Sequence, residues 1–147
     1  MTTLDRTAPD RLSGLHPWLA VLVAGAVPLW LGGLLSDIAY ARTYEIQWLN
    51  FAAWLVAGAM VFTGLALAAA LLRAVLRRSR EALVLTGVLL LAFVFGLVDN
   101  LIHAQDAWAA MPGGLMWSVV VTLLILAALW ISVSGLPGRF GRGEVQS

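Results

Sequence analysis

The chain has 147 residues, 61% of them hydrophobic and 12% charged, where a soluble domain carries roughly 25% charged residues. Its formal net charge is +1 and it has no cysteine, which excludes disulfides, thiolate catalysis and cysteine-ligated zinc or iron–sulfur centres. Neither the charge nor any motif points to nucleic-acid binding, and nothing resembles a phosphate loop, a catalytic triad or a metalloprotease motif.

Four apolar runs approach or exceed the ~20 residues that cross a bilayer as a helix. The expected fold is all-α, a transmembrane four-helix bundle forming one domain over 1–147. The expected spans are about 17–36, 48–72, 82–103 and 115–134, between flexible tails at 1–15 and 137–147. The first run follows His16-Pro17, a favourable helix start, and contains Pro28, which predicts a kink. Ala39-Tyr40-Ala41 mimics a signal-peptide cleavage site. The run before it is longer than a signal core of ~7–15 residues and follows a mixed-charge tail, so the span is expected to stay. The second run ends at Arg73, with Gly64 and Ala68 spaced for close helix packing and Thr63 as an interhelical donor. The third run approaches Asp99 and His103, and the fourth is entered through Pro112-Gly113-Gly114.

All nine basic residues are arginines, and only Arg42 falls on the opposite side of a four-span arrangement from the rest. The positive-inside rule then puts both termini and the Arg73–Arg80 loop in the cytoplasm of a multi-pass inner-membrane protein. That loop reads as a topology determinant or as a site for anionic lipid headgroups. Trp18, Trp30, Trp48, Trp108, Trp117 and Trp130 lie near expected span ends and suggest an interfacial belt.

Sliding the chain by 63 residues places Gly33 on Gly96, Asp37 on Asn100, Tyr40 on His103 and Trp54 on Trp117, which suggests two pseudo-repeated helical hairpins. Gly33, Asp37 and Tyr40 share one helix face by spacing, as do Gly96, Asn100 and His103. Asp99 and His103, four apart, are also neighbours on one face. The candidate polar cluster is therefore Asp37, Tyr40, Asp99, Asn100 and His103, where the first and third spans meet at the outer leaflet. Ionisable groups at membrane depth are expensive and are functional candidates by default. The competing reading is a solvated helix end, since Arg80 to Asp99 already spans nearly the ~30 Å of a hydrocarbon core. His16 and His103 fall at opposite faces, so they do not form a same-leaflet pair for a haem.

Arg42, Tyr44, Glu45, Trp48, Asp106 and Trp108 form a candidate partner surface on the outer face. With no complete catalytic set and no metal site in view, the expected function is a non-enzymatic accessory or anchor module. Its partners would be the bilayer, a periplasmic or membrane redox protein and a second copy in a homo-oligomer. The alternative is a module that binds quinone or haem, or transfers protons, through the Asp/Asn/His cluster.

Three stretches carry a family resemblance: Leu35-Ser36-Asp37-Ile38-Ala39-Tyr40, Arg42-Thr43-Tyr44-Glu45-Ile46-Gln47-Trp48-Leu49-Asn50-Phe51, and Asp99-Asn100-Leu101-Ile102-His103-Ala104-Gln105-Asp106-Ala107-Trp108. With His16-Pro17 they make the chain resemble the small bacterial four-span inner-membrane proteins grouped as domain of unknown function 2231. The resemblance implies a four-span module linked to respiratory or periplasmic redox chemistry, because some relatives are fused to, or encoded beside, cytochrome, Rieske or sugar-dehydrogenase proteins. Many members carry a second histidine in the first span, and the matching position here is Val21.

Overall fold

The computed structural model describes residues 17–105 and 107–134, the side chains at 17, 77, 107, 108 and 134 excepted. The two tails, His16 and Asp106 thus lie outside the described residues, as does the Trp108 side chain. Four long helices carry the fold: α1 Pro17–Thr43, α2 Ile46–Arg77, α3 Arg80–His103 and α5 Gly113–Ser134, with the single-turn α4 Ala107–Ala110 between α3 and α5. The described residues contain no strand. All four long helices are long and apolar enough to span a membrane.

α1 continues through Pro28 without a break and runs past the expected end at residue 36 to Thr43. Two hydroxyls at this end bond back within the helix. Ser36 donates to the Gly32 carbonyl at 2.8 Å and Thr43 to that of Ala39 at 2.8 Å. Asp37 and Tyr40 fall on the buried face of this extension.

The tight turns fix neighbouring helices as antiparallel pairs. Tyr44 adopts a left-handed φ of 55° and its N–H donates to the Tyr40 carbonyl at 2.8 Å. At the other end of α2, Arg78 takes φ 44° and its N–H donates to Ala74 O at 3.0 Å, closing the helix. Ser79 then caps α3 by accepting from the Ala82 N–H at 3.2 Å.

The helices form a closed square in which α1 packs on α2, α2 on α3, α3 on α5 and α5 on α1. α1 and α3 therefore face each other across the diagonal. Each helix buries one line of residues at alternating three- and four-residue spacing. In α3 that line is Ala82, Leu85, Thr86, Leu89, Ala92, Gly96, Asp99 and His103. The other sides of α3 expose Leu83, Val84, Leu90, Leu91, Val94, Leu97 and Leu101. Polar residues inside and leucines outside reverse the pattern of a soluble helix, as a lipid solvent demands.

Trp30 departs from the expected belt. It is fully buried, with its indole N–H donating to Thr63 Oγ1 on α2 at 3.1 Å. Thr63 is thus an interhelical acceptor, and its own proton goes to the Ala59 carbonyl at 2.8 Å. Gly96 makes room for this indole. A Cβ there would come within 2.7 Å of Met60 Sδ and 2.9 Å of the Trp30 ring. Gly64 lets Phe93 of α3 lie against α2, 3.2 Å from where a Cβ would sit.

Candidate functional site

The buried lines of α1, α3 and α5 converge one to two turns from the end that carries the α1–α2 turn. α1 contributes Asp37, α3 contributes Asp99 and His103, and α5 contributes Ser118. Asp37, Asp99 and Ser118 are fully buried and His103 is 6% exposed. Asp99 and His103 meet as i,i+4 neighbours, whereas Asp37 reaches them across the bundle diagonal.

The four side chains close a ring. Asp37 Oδ1 lies 2.8 Å from His103 Nε2, and Asp37 Oδ2 lies 2.5 Å from Ser118 Oγ. Ser118 Oγ is in turn 3.1 Å from Asp99 Oδ2. His103 Nδ1 closes the circuit, 2.9 Å from the Asp99 main-chain carbonyl and 3.2 Å from Asp99 Oδ1.

Donors and acceptors can be counted around this ring. A main-chain carbonyl only accepts, so Nδ1 carries a proton. The single Ser118 proton serves the shorter contact, to Asp37. Bonding across the Ser118–Asp99 contact then requires a proton on the Asp99 carboxyl, donated to Ser118 Oγ. Asp99 Oδ1 has only the 3.2 Å contact to His103 Nδ1, whose proton points to the main-chain carbonyl. One more proton sits between His103 Nε2 and Asp37 Oδ1. On nitrogen it makes an ion pair, on oxygen a neutral pair, and the ring's total charge is zero in both. A net-neutral ring avoids an uncompensated charge in the low-dielectric interior.

Apolar side chains pack on both sides of the ring. On the inner side lie Trp30, Met60 and Gly96. On the outer side Tyr40, Leu49 and Ala110 form a separate buried cluster with Trp48, Ile102 and Met111 packed against it. Gly114 borders the imidazole directly, and a Cβ at that position would stand 3.0 Å from His103 Cε1.

Of the residues the sequence nominates, Asp37, Asp99 and His103 close the ring. Tyr40 belongs to the apolar cover, one turn beyond Asp37. Asn100 is half-buried and makes no bond to the ring. The 63-residue echo pairs Asp37 with Asn100, yet Asp99 occupies the bonded position, because adjacent helical residues point about 100° apart. Ser118 is the residue sequence reasoning missed. Its signal is the spacing Gly114, Ser118, Thr122, a small and polar line along a largely aliphatic helix.

Among the nominated partner-surface residues, Arg42, Tyr44 and Glu45 are exposed on the α1–α2 turn. Trp48 is half-buried and tilts against Phe51, their ring centroids 6.0 Å apart. Asp106 and the Trp108 side chain lie outside the described residues.

Both ring nitrogens of His103 face oxygen, so the arrangement leaves none for a haem iron. Among the described residues no group of three or more metal-ligating side chains could hold an ion. Compared with protein-family models, curated proteins and solved structures, the chain matches none.

Proposed function

We propose that this multi-pass protein is a membrane-embedded proton-handling module whose His103–Asp37–Ser118–Asp99 ring takes up and releases a proton. The observation that carries the reading is the ring's hydrogen-bond count. Three titratable side chains and one hydroxyl close a circuit in which a proton can move between Asp37 and His103 without changing the total charge. Loss of the proton between Asp99 and Ser118 leaves the ring one negative charge, and Ser118 must then choose between two carboxylates. The module is non-enzymatic in this reading, and a redox protein of the same membrane is the partner implied by the family resemblance. A bacterial inner-membrane location is what the family resemblance implies, and the arginine distribution supports an orientation with the arginine-rich end in the cytoplasm.

Infrared spectroscopy of the protein in lipid tests this reading. The expected result is a carboxylic C=O band that shifts in D2O, disappears in Asp99→Asn and changes in intensity between about pH 4 and pH 10. A band unaltered over that range makes the ring a fixed packing element and sinks the proposal.

A second reading rests on the α1–α2 turn. Tyr44 holds a left-handed φ of 55° on an exposed turn between Arg42 and Glu45, and non-glycine residues in that region concentrate at functional sites. This turn would dock a periplasmic or membrane redox protein. Changing Arg42, Tyr44 and Glu45 together should abolish partner recovery from native membranes, and unchanged recovery removes the docking role.

A further inference from the structure

At the end opposite the ring, α2 and α3 part around a groove of about 470 Å3 lined by Leu71, Ala74, Val75, Arg78, Leu83 and Thr86. That size lies within the ~300–1,000 Å3 typical of small-molecule sites. The groove is polarised along its length. Arg78 stands at the mouth in the turn between the helices, and Arg80 is exposed two residues on. Leu71 lies seven residues before Arg78 on α2, about 10 Å deeper toward the bilayer interior.

The apolar wall is open outward, with Val75 73% and Leu83 56% exposed. Thr86 donates its hydroxyl proton to the Ala82 carbonyl at 2.7 Å and so asks for no polar ligand. Neither Arg78 nor Arg80 has an ion-pair partner among the described residues. Glu81, the acidic side chain of the turn, sits in the first turn of α3, and neither it nor Arg80 lines the groove, which leaves Arg78 as its one charged wall.

A cation at headgroup depth above a hydrocarbon wall is complementary to one kind of molecule, an anion with an alkyl chain. We propose that this groove binds an anionic phospholipid, its phosphate on Arg78, with the exposed Arg80 adding charge beside it, and one acyl chain along Leu71, Val75 and Leu83. Guanidinium forks match phosphate oxygens bidentately, and the chain replaces lipid that would otherwise pack loosely against a concave surface. The site is separate from the proton ring and stands or falls independently of it.

Native mass spectrometry of the full chain, released from nanodiscs of equal phosphatidylglycerol and phosphatidylcholine, tests the site. Wild type should retain phosphatidylglycerol in preference. Each arginine near the headgroups contributes about fivefold to such attraction, so Arg78→Gln with Arg80→Gln should lower the preference at least about tenfold. Val75→Trp fills the groove at an exposed position without changing charge, and should also cut retention. Equal retention of both lipids by wild type overturns the proposal. So does undiminished retention in Val75→Trp, which makes the arginines a diffuse charge patch. Displacement of phosphatidylglycerol by inorganic phosphate alone shows a phosphate site without an acyl seat and overturns it too. Should a variant fail to fold, the wild-type lipid comparison still decides.

Discussion

Two buried polar layers lie in this bundle about two helical turns apart, and they are built from different chemistry. The inner layer joins Trp30 to Thr63 at 3.1 Å, with the Thr122 hydroxyl donating to the Trp30 carbonyl at 3.4 Å. It links α1, α2 and α5 with groups that do not titrate. The outer layer links α1, α3 and α5 through two carboxylic side chains, an imidazole and a hydroxyl. Both layers are buried and both tie helices together, so interhelical adhesion alone is available from indole and hydroxyl groups at far lower desolvation cost. The outer layer needs a second reason for its ionisable groups, and the proposed proton exchange would supply one.

The largest expected effect comes from removing the residue that two others depend on. Asp37 bonds both His103 Nε2 and Ser118 Oγ, so Asp37→Ala leaves Nε2 of a buried imidazole without a partner and Ser118 with Asp99 alone. Breaking one partner of a buried charged network costs about 3–5 kcal/mol. Unfolding in mixed micelles should report a loss of that order, with Asp37→Asn milder because the amide keeps the shape. A loss below about 1 kcal/mol, the scale of an exposed pair, means that the ring does not form as described.

How much of this was legible in the sequence divides along the same two layers. The spans follow from composition, since hydrocarbon solvation leaves few alternatives for runs this apolar. Asp37, Asp99 and His103 stand out because ionisable side chains are rare in such runs. Ser118 does not, because a serine satisfies itself within a helix at little cost, as Ser36 and Ser132 do here. Its role exists only where α5 meets α1 and α3, a contact that no single segment encodes. Trp30 was misassigned for the same reason: sequence places a tryptophan near a span end, but the room made by Gly96 and the acceptor on Thr63 turn it inward. Asn100 lies half-buried outside the ring, one residue of register from Asp99, which on a helix is a different face.

A smaller effect should come from the floor between the layers. Gly96→Ala puts a methyl within 2.7 Å of Met60 Sδ and 2.9 Å of the Trp30 ring. Met60 is flexible and can yield, whereas the indole is held by Thr63. Overpacking of this kind costs about 1–3 kcal/mol. The same unfolding assay should show it, together with a change in the near-ultraviolet circular dichroism of Trp30. An unchanged tryptophan spectrum would mean that Met60 alone absorbs the methyl and that the floor is not rigid.

The smallest effect, and the sharpest test of the comparison, is Thr63→Val. Valine fills nearly the same space but leaves the Trp30 N–H without its acceptor. Interhelical hydrogen bonds in membranes average about 0.6 kcal/mol and reach about 1.7, so the loss should stay in that range. The infrared carboxyl signal of the ring should not move, because no group of the inner layer bonds to one of the outer. Combining Thr63→Val with Asp37→Ala then measures their independence. Sites more than about 7–10 Å apart with no shared partner add within about 0.3–0.5 kcal/mol. Asp37 and Trp30 share α1 but no hydrogen-bond partner, so the double variant should lose the sum of the two. A coupling well beyond that margin makes the two layers one network, and a proton added at the ring would then be felt as far as Trp30.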